Sequence, residues 1–175
     1  MKNFLVLDLS NLGSAYSIIN RFVDNENIEV FEISPIGTAA LLILNVNDSI
    51  SSQLLYNNIK NEYKSDLMSM ALITDIEPSV VKTYLSQSQA QIQKNLLILE
   101  SSEVSRMFSV AQNAATKGTI GLVDFRVIRT NPCNAVLVIT SDQISNLMTF
   151  KDFGVKTTLI NDVQNSVKEY FEIIK

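Results

Sequence analysis

The chain has 175 residues, 46% of them hydrophobic and 18% charged, with a formal net charge of −4. That balance supports one good core or two small fused ones, and it excludes a disordered chain and the basic footprint of a nucleic-acid binder. There is no histidine and only one cysteine, Cys133, so an intrachain disulfide is excluded, a zinc site lacks ligands, and the commonest general base is missing.

Residues 3–9 read as a strand, a short apolar run ending in an acid. Ser10 is the expected cap of a helix reaching about Asp24, with Leu12, Ala15, Tyr16, Ile19, Phe22 and Val23 as its core-facing stripe. After a turn at 25–27, residues 28–33 alternate as a strand, and Ser34-Pro35-Ile36-Gly37-Thr38 reads as a tight loop. Residues 39–46 are apolar enough for a central strand, and Asp48 opens a helix carrying Ile50, Leu54, Leu55 and Ile59. A short strand is expected over 71–76 and a helical turn over 79–84. The polar stretch 86–94, with Gln87, Gln89, Gln91 and Gln93, reads as a linker. The order then returns: strand 95–100, helix 103–116 capped by Ser102, turn 117–119, strand 120–128, loop 129–134 and strand 135–140. A helix opened by Asp142, strand 156–160 and a final helical piece to Ile174 complete the chain.

The return is literal. Phe4-Leu5-Val6-Leu7-Asp8 reappears as Leu96-Leu97-Ile98-Leu99-Glu100, and the helical stripe as Val104, Met107, Phe108, Ala111, Ala114 and Ala115, at a spacing of 92 (104 − 12). The spacing becomes 94 at Asp48 and Asp142 (142 − 48) and 87 at Asp75 and Asp162 (162 − 75). Each copy reads β-α-β-β-α-β, so the expectation is an α/β layer fold, ferredoxin-like in character, with repeat 1 over 1–85, a linker over 86–94 and repeat 2 over 95–175. A fused repeat commonly fixes how copies are arranged around an axis. The sequence has no P-loop, no GxGxxG and no GxSxG, and five glycines leave little for a phosphate-cradling loop. The chain is expected not to be an enzyme. The longest apolar run is 39–44, and neither a signal peptide nor a membrane span fits, so a soluble cytoplasmic protein is expected.

These residues, in this order, resemble the bacterial microcompartment shell domain. Leu96 to Ser101 is similar to the family's opening strand, which ends in Glu-Thr, and Val110-Ala111-Gln112-Asn113-Ala114-Ala115 sits at its Ala-rich helix. Gly121-Leu122-Val123 and Val136 to Asp142 resemble its two hairpin strands, and Ile36-Gly37-Thr38-Ala39 resembles its pore loop. Residues 66–81 resemble the stretch between repeats of the fused tandem shell proteins. The resemblance implies a homotrimer forming a flat pseudo-hexamer, with other shell subunits as partners and small polar or anionic metabolites passing a central pore. The implied pore lining is Ile36, Gly37 and Thr38 from one repeat and Asn131, Pro132 and Cys133 from the other, with Arg129 as a charge beside it. At the family's edge-lysine positions this chain has Asp24 and Thr116, with Arg21 and Lys117 displaced nearby.

Each candidate has a plainer reading. Cys133 is a low-frequency iron–sulfur ligand contributed once per chain, or a small filler. Arg126 and Arg129 are a focusing charge for anions, or ion-pair partners of Asp124 or Glu32. Thr38 is a pore hydroxyl, or turn chemistry beside Gly37. Asp8 and Glu100 are repeat-equivalent, and structural capping accounts for them better than acid–base work. Tyr16, Phe22, Met107 and Phe108 are expected in the core, and Met68, Met70 and Met148 as packing residues. Two other functions stay open at this point: a trimeric small-molecule-sensing regulator, and an electron-transfer subunit with an iron–sulfur cluster on Cys133.

Overall fold

Strand β1 (Asn3–Leu9) is buried along its whole length, as a continuous apolar run demands when both faces are covered. It is followed by α1 (Leu12–Phe22), β2 (Ile28–Ile36), β3 (Ala39–Val46), α2 (Ser49–Glu62), β4 (Leu67–Ile73) and α3 (Pro78–Tyr84). The second half gives β5 (Asn95–Ser101), α4 (Val104–Ala115), β6 (Gly121–Ile128), β7 (Asn134–Ser141), α5 (Ile144–Met148), β8 (Lys156–Ile160) and α6 (Asn165–Ile173). This computed structural model describes residues 2–23, 27–130 and 134–173, with 172 and 173 as backbone only.

Two four-stranded sheets result, ordered β2-β3-β1-β4 and β6-β7-β5-β8, so the expected α/β unit occurs twice with the same order. β1 lies antiparallel between β3 and β4, and β5 is paired in the same way with β7 and β8. By packing, one unit takes the described residues of Met1–Ile76, Ser102–Ser109 and Arg129–Asn134, and the other takes Glu77–Ser101, Val110–Ile128 and Ala135–Lys175. These packed units cut the chain differently from its sequence repeats.

In the first unit, Leu5, Leu7 and Leu9 of β1 share one face with Leu42 and Leu44 of β3. Ala15 and Ile18 of α1 and Leu55 and Ile59 of α2 close over that face. Burying a side chain of this size contributes about 1.5–3 kcal/mol. In the second unit, Leu96, Val123 and Val138 form a cluster with Val163, against which Val167 and Phe171 of α6 pack. Leu97, Leu99, Leu137 and Ile139, on the opposite face of that sheet, are also fully buried.

The duplication extends to small polar devices. The Asn3 side-chain amide donates to the Val46 carbonyl at 3.1 Å, and the Asn95 amide donates to the Ser141 carbonyl at 3.1 Å. The Ile76 N–H reaches the Lys2 carbonyl at 3.0 Å, and the Val163 N–H reaches the Lys94 carbonyl at 2.9 Å. Asp75 and Asp162 both adopt φ +49, a left-handed conformation that Asp tolerates better than most residues.

Several sequence expectations are corrected. β2 continues to Ile36 rather than ending at residue 33; Pro35 is tolerated there because β2 is an edge strand. β4 spans Leu67–Ile73 rather than 71–76, because Asp75 turns the chain. β3 and β7 correspond at a spacing of 95 (141 − 46), since Asn3 pairs with Val46 and Asn95 with Ser141. The loop of the second copy has therefore gained three residues rather than two. Tyr16 is 59% exposed, and Ile18 takes the core position. Ile50, Leu54 and Met68 are exposed as well, while Met70 packs on the core.

Asn3 also accepts the Asp75 N–H at 3.0 Å, so both ends of its amide are used in a buried place. Asn3→Leu strands one buried donor and one acceptor and should lower the unfolding free energy by about 1–3 kcal/mol. Urea unfolding checks this against Asn57→Ala on the exposed side of α2, expected within about 0.5 kcal/mol of wild type.

Candidate functional site: loop tips and strand-end carboxylates

The first implied pore loop is the β2–β3 hairpin. Ile36 pairs with Ala39, leaving Gly37 and Thr38 as a two-residue turn. Gly37 takes φ +60, and such a turn favours glycine at its first central position. Gly37 and Thr38 are exposed at the tip, whereas Ile36 is buried beneath it. In the second loop, Asn131, Pro132 and Cys133 lie outside the described residues. Arg129, at the start of that loop, donates to Glu32 at 2.6 Å, and Arg126 pairs with Asp124 at 2.7 Å. Within the chain, both arginines are thus in ion pairs. Among the described residues, no group of three or more acidic, Cys or His side chains is placed to hold a metal ion.

The edge positions are engaged as well. Arg21 pairs with Glu62 at 2.7 Å. Lys117 donates to the Thr149 hydroxyl at 2.8 Å and lies 4.6 Å from the Phe150 ring centroid. Thr116 donates to the Asn113 carbonyl, and Asp24 lies outside the described residues.

The best-built polar arrangement is at the end of β1, and sequence reasoning found only half of it. Asp8 is 8% exposed and accepts from the N–H groups of Val104 at 3.2 Å and Ser105 at 2.9 Å. These are the first residues of α4, whose opening amides have no acceptor within the helix. Ser69, opposite Asp8 on β4, accepts from the Ser105 hydroxyl at 2.7 Å and donates to Glu103 at 3.3 Å. A register shift between Asp8 and Leu9 marks the place. The expected cap, Ser102, is exposed, and the acceptor instead comes from a strand 96 residues earlier. The available signal was an acid closing an otherwise apolar strand in both copies. Similarly, Asn11 rather than Ser10 caps α1, accepting the Ser14 N–H at 2.8 Å. Asp48 does cap α2, but Asp142 accepts the Lys94 N–H instead of opening α5.

Burial pushes the Asp8 carboxyl above its ordinary 3.8. Hydrogen bonds from Ser105 and Val104 oppose the shift without reversing it, and the Glu103 charge adds to it. The repeat-equivalent Glu100 differs: it pairs with Lys156, its cross-strand neighbour, at 3.0 Å.

No protein-family model matches the sequence, and no curated protein does. The fold is similar to the crystal structure of a microcompartment protein from Desulfitobacterium hafniense DCB, with a TM-score of 0.74 at 14% identity over 97% of this chain and 99% of that one. A protein proposed to be a glycine cleavage system transcriptional repressor aligns with a TM-score of 0.32 at 9% identity, over 91% of this chain and 96% of its own, and carries no argument.

Two measurements test the local chemistry. Gly37→Val should lower the unfolding free energy by about 1–2 kcal/mol, while Thr38→Ala beside it should change it by less than about 0.5 kcal/mol. For Asp8, a raised folded pKa means that its stabilising contribution is complete below the unfolded pKa and is lost as pH rises through the folded value. The unfolding free energy of wild type minus that of Asp8→Asn should therefore be larger at about pH 4 than at about pH 7; paired urea titrations across that range read the sign. The TM-score and the two-way coverage give the conclusion on fold: the chain is built as a microcompartment protein is, with two tandem four-stranded antiparallel sheets and their helices.

Proposed function

We propose that the chain is a non-catalytic structural subunit of a microcompartment shell. Three copies close into a flat pseudo-hexameric disk, each supplying two lobes: repeat 1 over 1–85 and repeat 2 over 95–175, joined by 86–94. The observation that carries this reading is the nearly complete two-way coverage of a microcompartment protein, 97% and 99%, by a chain that repeats one strand order twice.

Loops 36–38 and 131–133 of three chains surround the centre of the disk in this reading. The exposed Gly37–Thr38 tip supports it, since a loop that lines an opening must end in solvent. Thr38 supplies hydroxyls, and Arg129 supplies a positive charge partly offset by Glu32. Such a rim favours small polar or anionic metabolites over apolar ones. The disk works by exclusion: what does not fit the opening does not cross. Its partners are further copies and other shell subunits, and its place is in a shell within the cytoplasm. Because Arg21 and Lys117 are engaged within the chain, the disk meets neighbouring disks through other groups.

Native mass spectrometry of the purified chain tests the assembly. The expected species has three times the 19.5 kDa chain mass. A single-chain or two-chain species at micromolar concentration contradicts the reading.

A further inference from the structure

We propose that the cleft between α2 and β4 is a binding site for a small phosphate monoester with an apolar body. The site is independent of the trimeric reading and separate from the hairpin loops: β4 is an edge strand, with β1 between it and β3.

The end of α2 has two flanks that are treated differently. Toward α1 the polar side chains are paired. Glu62 meets Arg21 at 2.7 Å, the Tyr63 and Ser17 hydroxyls lie 2.8 Å apart, and Asp66 accepts from the Ser14 hydroxyl at 2.9 Å. Toward β4 stand Tyr56, Lys60 and Lys64, at steps of four, the spacing that brings side chains onto one side of a helix. Lys64 lies in the turn just past the last helical residue, Glu62. Among the described residues, neither lysine is in an ion pair. The carboxylates nearest in sequence, Glu62 and Asp66, are already held by Arg21 and Ser14.

These three side chains line a cleft of about 290 Å³ together with Leu67, Met68 and Met70 of β4. Among the described residues, no acidic side chain lines it. In a chain with a net charge of −4, two ammonium groups over one concavity make a local positive field. A lysine in the last turn of a helix also offsets the helix dipole. That role accounts for Lys60, but not for the cleft or for Met68, which is 65% exposed on its wall.

The chemistry of the walls sets the ligand. Each ammonium has three donors and no acceptor, so the polar end of the ligand is an anion. A phosphate monoester carries about two negative charges at neutral pH and three strong acceptor oxygens, which matches two lysines, whereas a carboxylate offers a single charge. The rest of the wall is apolar and adaptable. The Lys60 ammonium stands 5.7 Å from the centroid of the Tyr56 ring, and Met68 and Leu67 offer alkyl and thioether surface. Met70 ties the cleft to the core, against which it packs. The volume is at the lower end of the range for small-molecule sites, about 300–1,000 Å³, so the apolar body is about the size of one ring.

The test uses the full chain with isotope-labelled methionine methyls, the Met68 resonance being assigned through Met68→Leu. Phenyl phosphate should shift that resonance saturably. Phenylacetate and inorganic phosphate should each bind about tenfold more weakly, one lacking charge and the other the apolar body. Lys60→Gln combined with Lys64→Gln should weaken phenyl phosphate by about tenfold or more while far-UV circular dichroism matches wild type, and each substitution alone should give part of that loss. Arg21→Gln, on the other flank, should change the affinity by less than about twofold. Phenylacetate that binds as tightly as phenyl phosphate overturns the phosphate class. Saturable binding that survives the double substitution, or no shift of Met68 with phenyl phosphate at millimolar concentration, overturns the site.

Discussion

The start of α4 must find hydrogen-bond acceptors in a place that water does not reach. Val104 and Ser105 are fully buried, and their amides precede the first possible intrahelical bond. Asp8 supplies the acceptors from the end of β1, against the cost of burying a carboxylate. The donors and the positive end of the helix dipole offset that cost. The consequence is topological. A helix that follows β5 in sequence begins on β1, so the packed unit includes residues 102–109. The aromatic contacts of Phe4 with Phe31 and Phe108 lie on the same face of β1 and extend the attachment beyond one cap.

The two copies agree where the fold is made and differ where the start of α4 meets β1 and at the hairpin loops. Strand order, the left-handed aspartates and the buried asparagines recur because each closes a sheet or a turn in either copy. Asp8 against Glu100 and Phe108 against Tyr16 differ in exposure because the start of α4 packs on β1 and covers Asp8 and Phe108 together. Because the two copies share one chain, their hairpin loops can diverge. The first loop is a two-residue turn shaped by Gly37, while the second is longer in sequence and contains Pro132.

Much of this was legible in the residues. The apolar runs at 3–9 and 95–100 gave central strands, and the stripes of α1 and α4 gave helices within two residues of their observed ends. What escaped was tertiary. Tyr16 sits on a stripe by spacing, but its side chain is exposed while Ala15, Ile18 and Ile19 around it pack on the core. Ile50 and Leu54 look like core on α2, yet they are exposed, and Leu55 and Ile59 take the core positions. β4 was placed late because Ser69 interrupts its apolar pattern, at the bulge where Ser69, opposite Asp8, hydrogen-bonds Ser105 and Glu103. The cap of α4 could not be read locally, since its acceptor is on another strand. Of the implied pore residues, Gly37 and Thr38 occupy the turn tip, Ile36 is buried beneath it, and 131–133 lie outside the described residues.

The central claim is that Asp8 of β1 holds the start of α4. Amide hydrogen exchange resolved at Val104 and Ser105 tests it most directly, recorded for wild type and for Asp8→Ala. The account predicts that both amides are protected in wild type and exchange faster in Asp8→Ala, while the later amides of α1 are unchanged. Protection of Val104 and Ser105 that survives Asp8→Ala would contradict it.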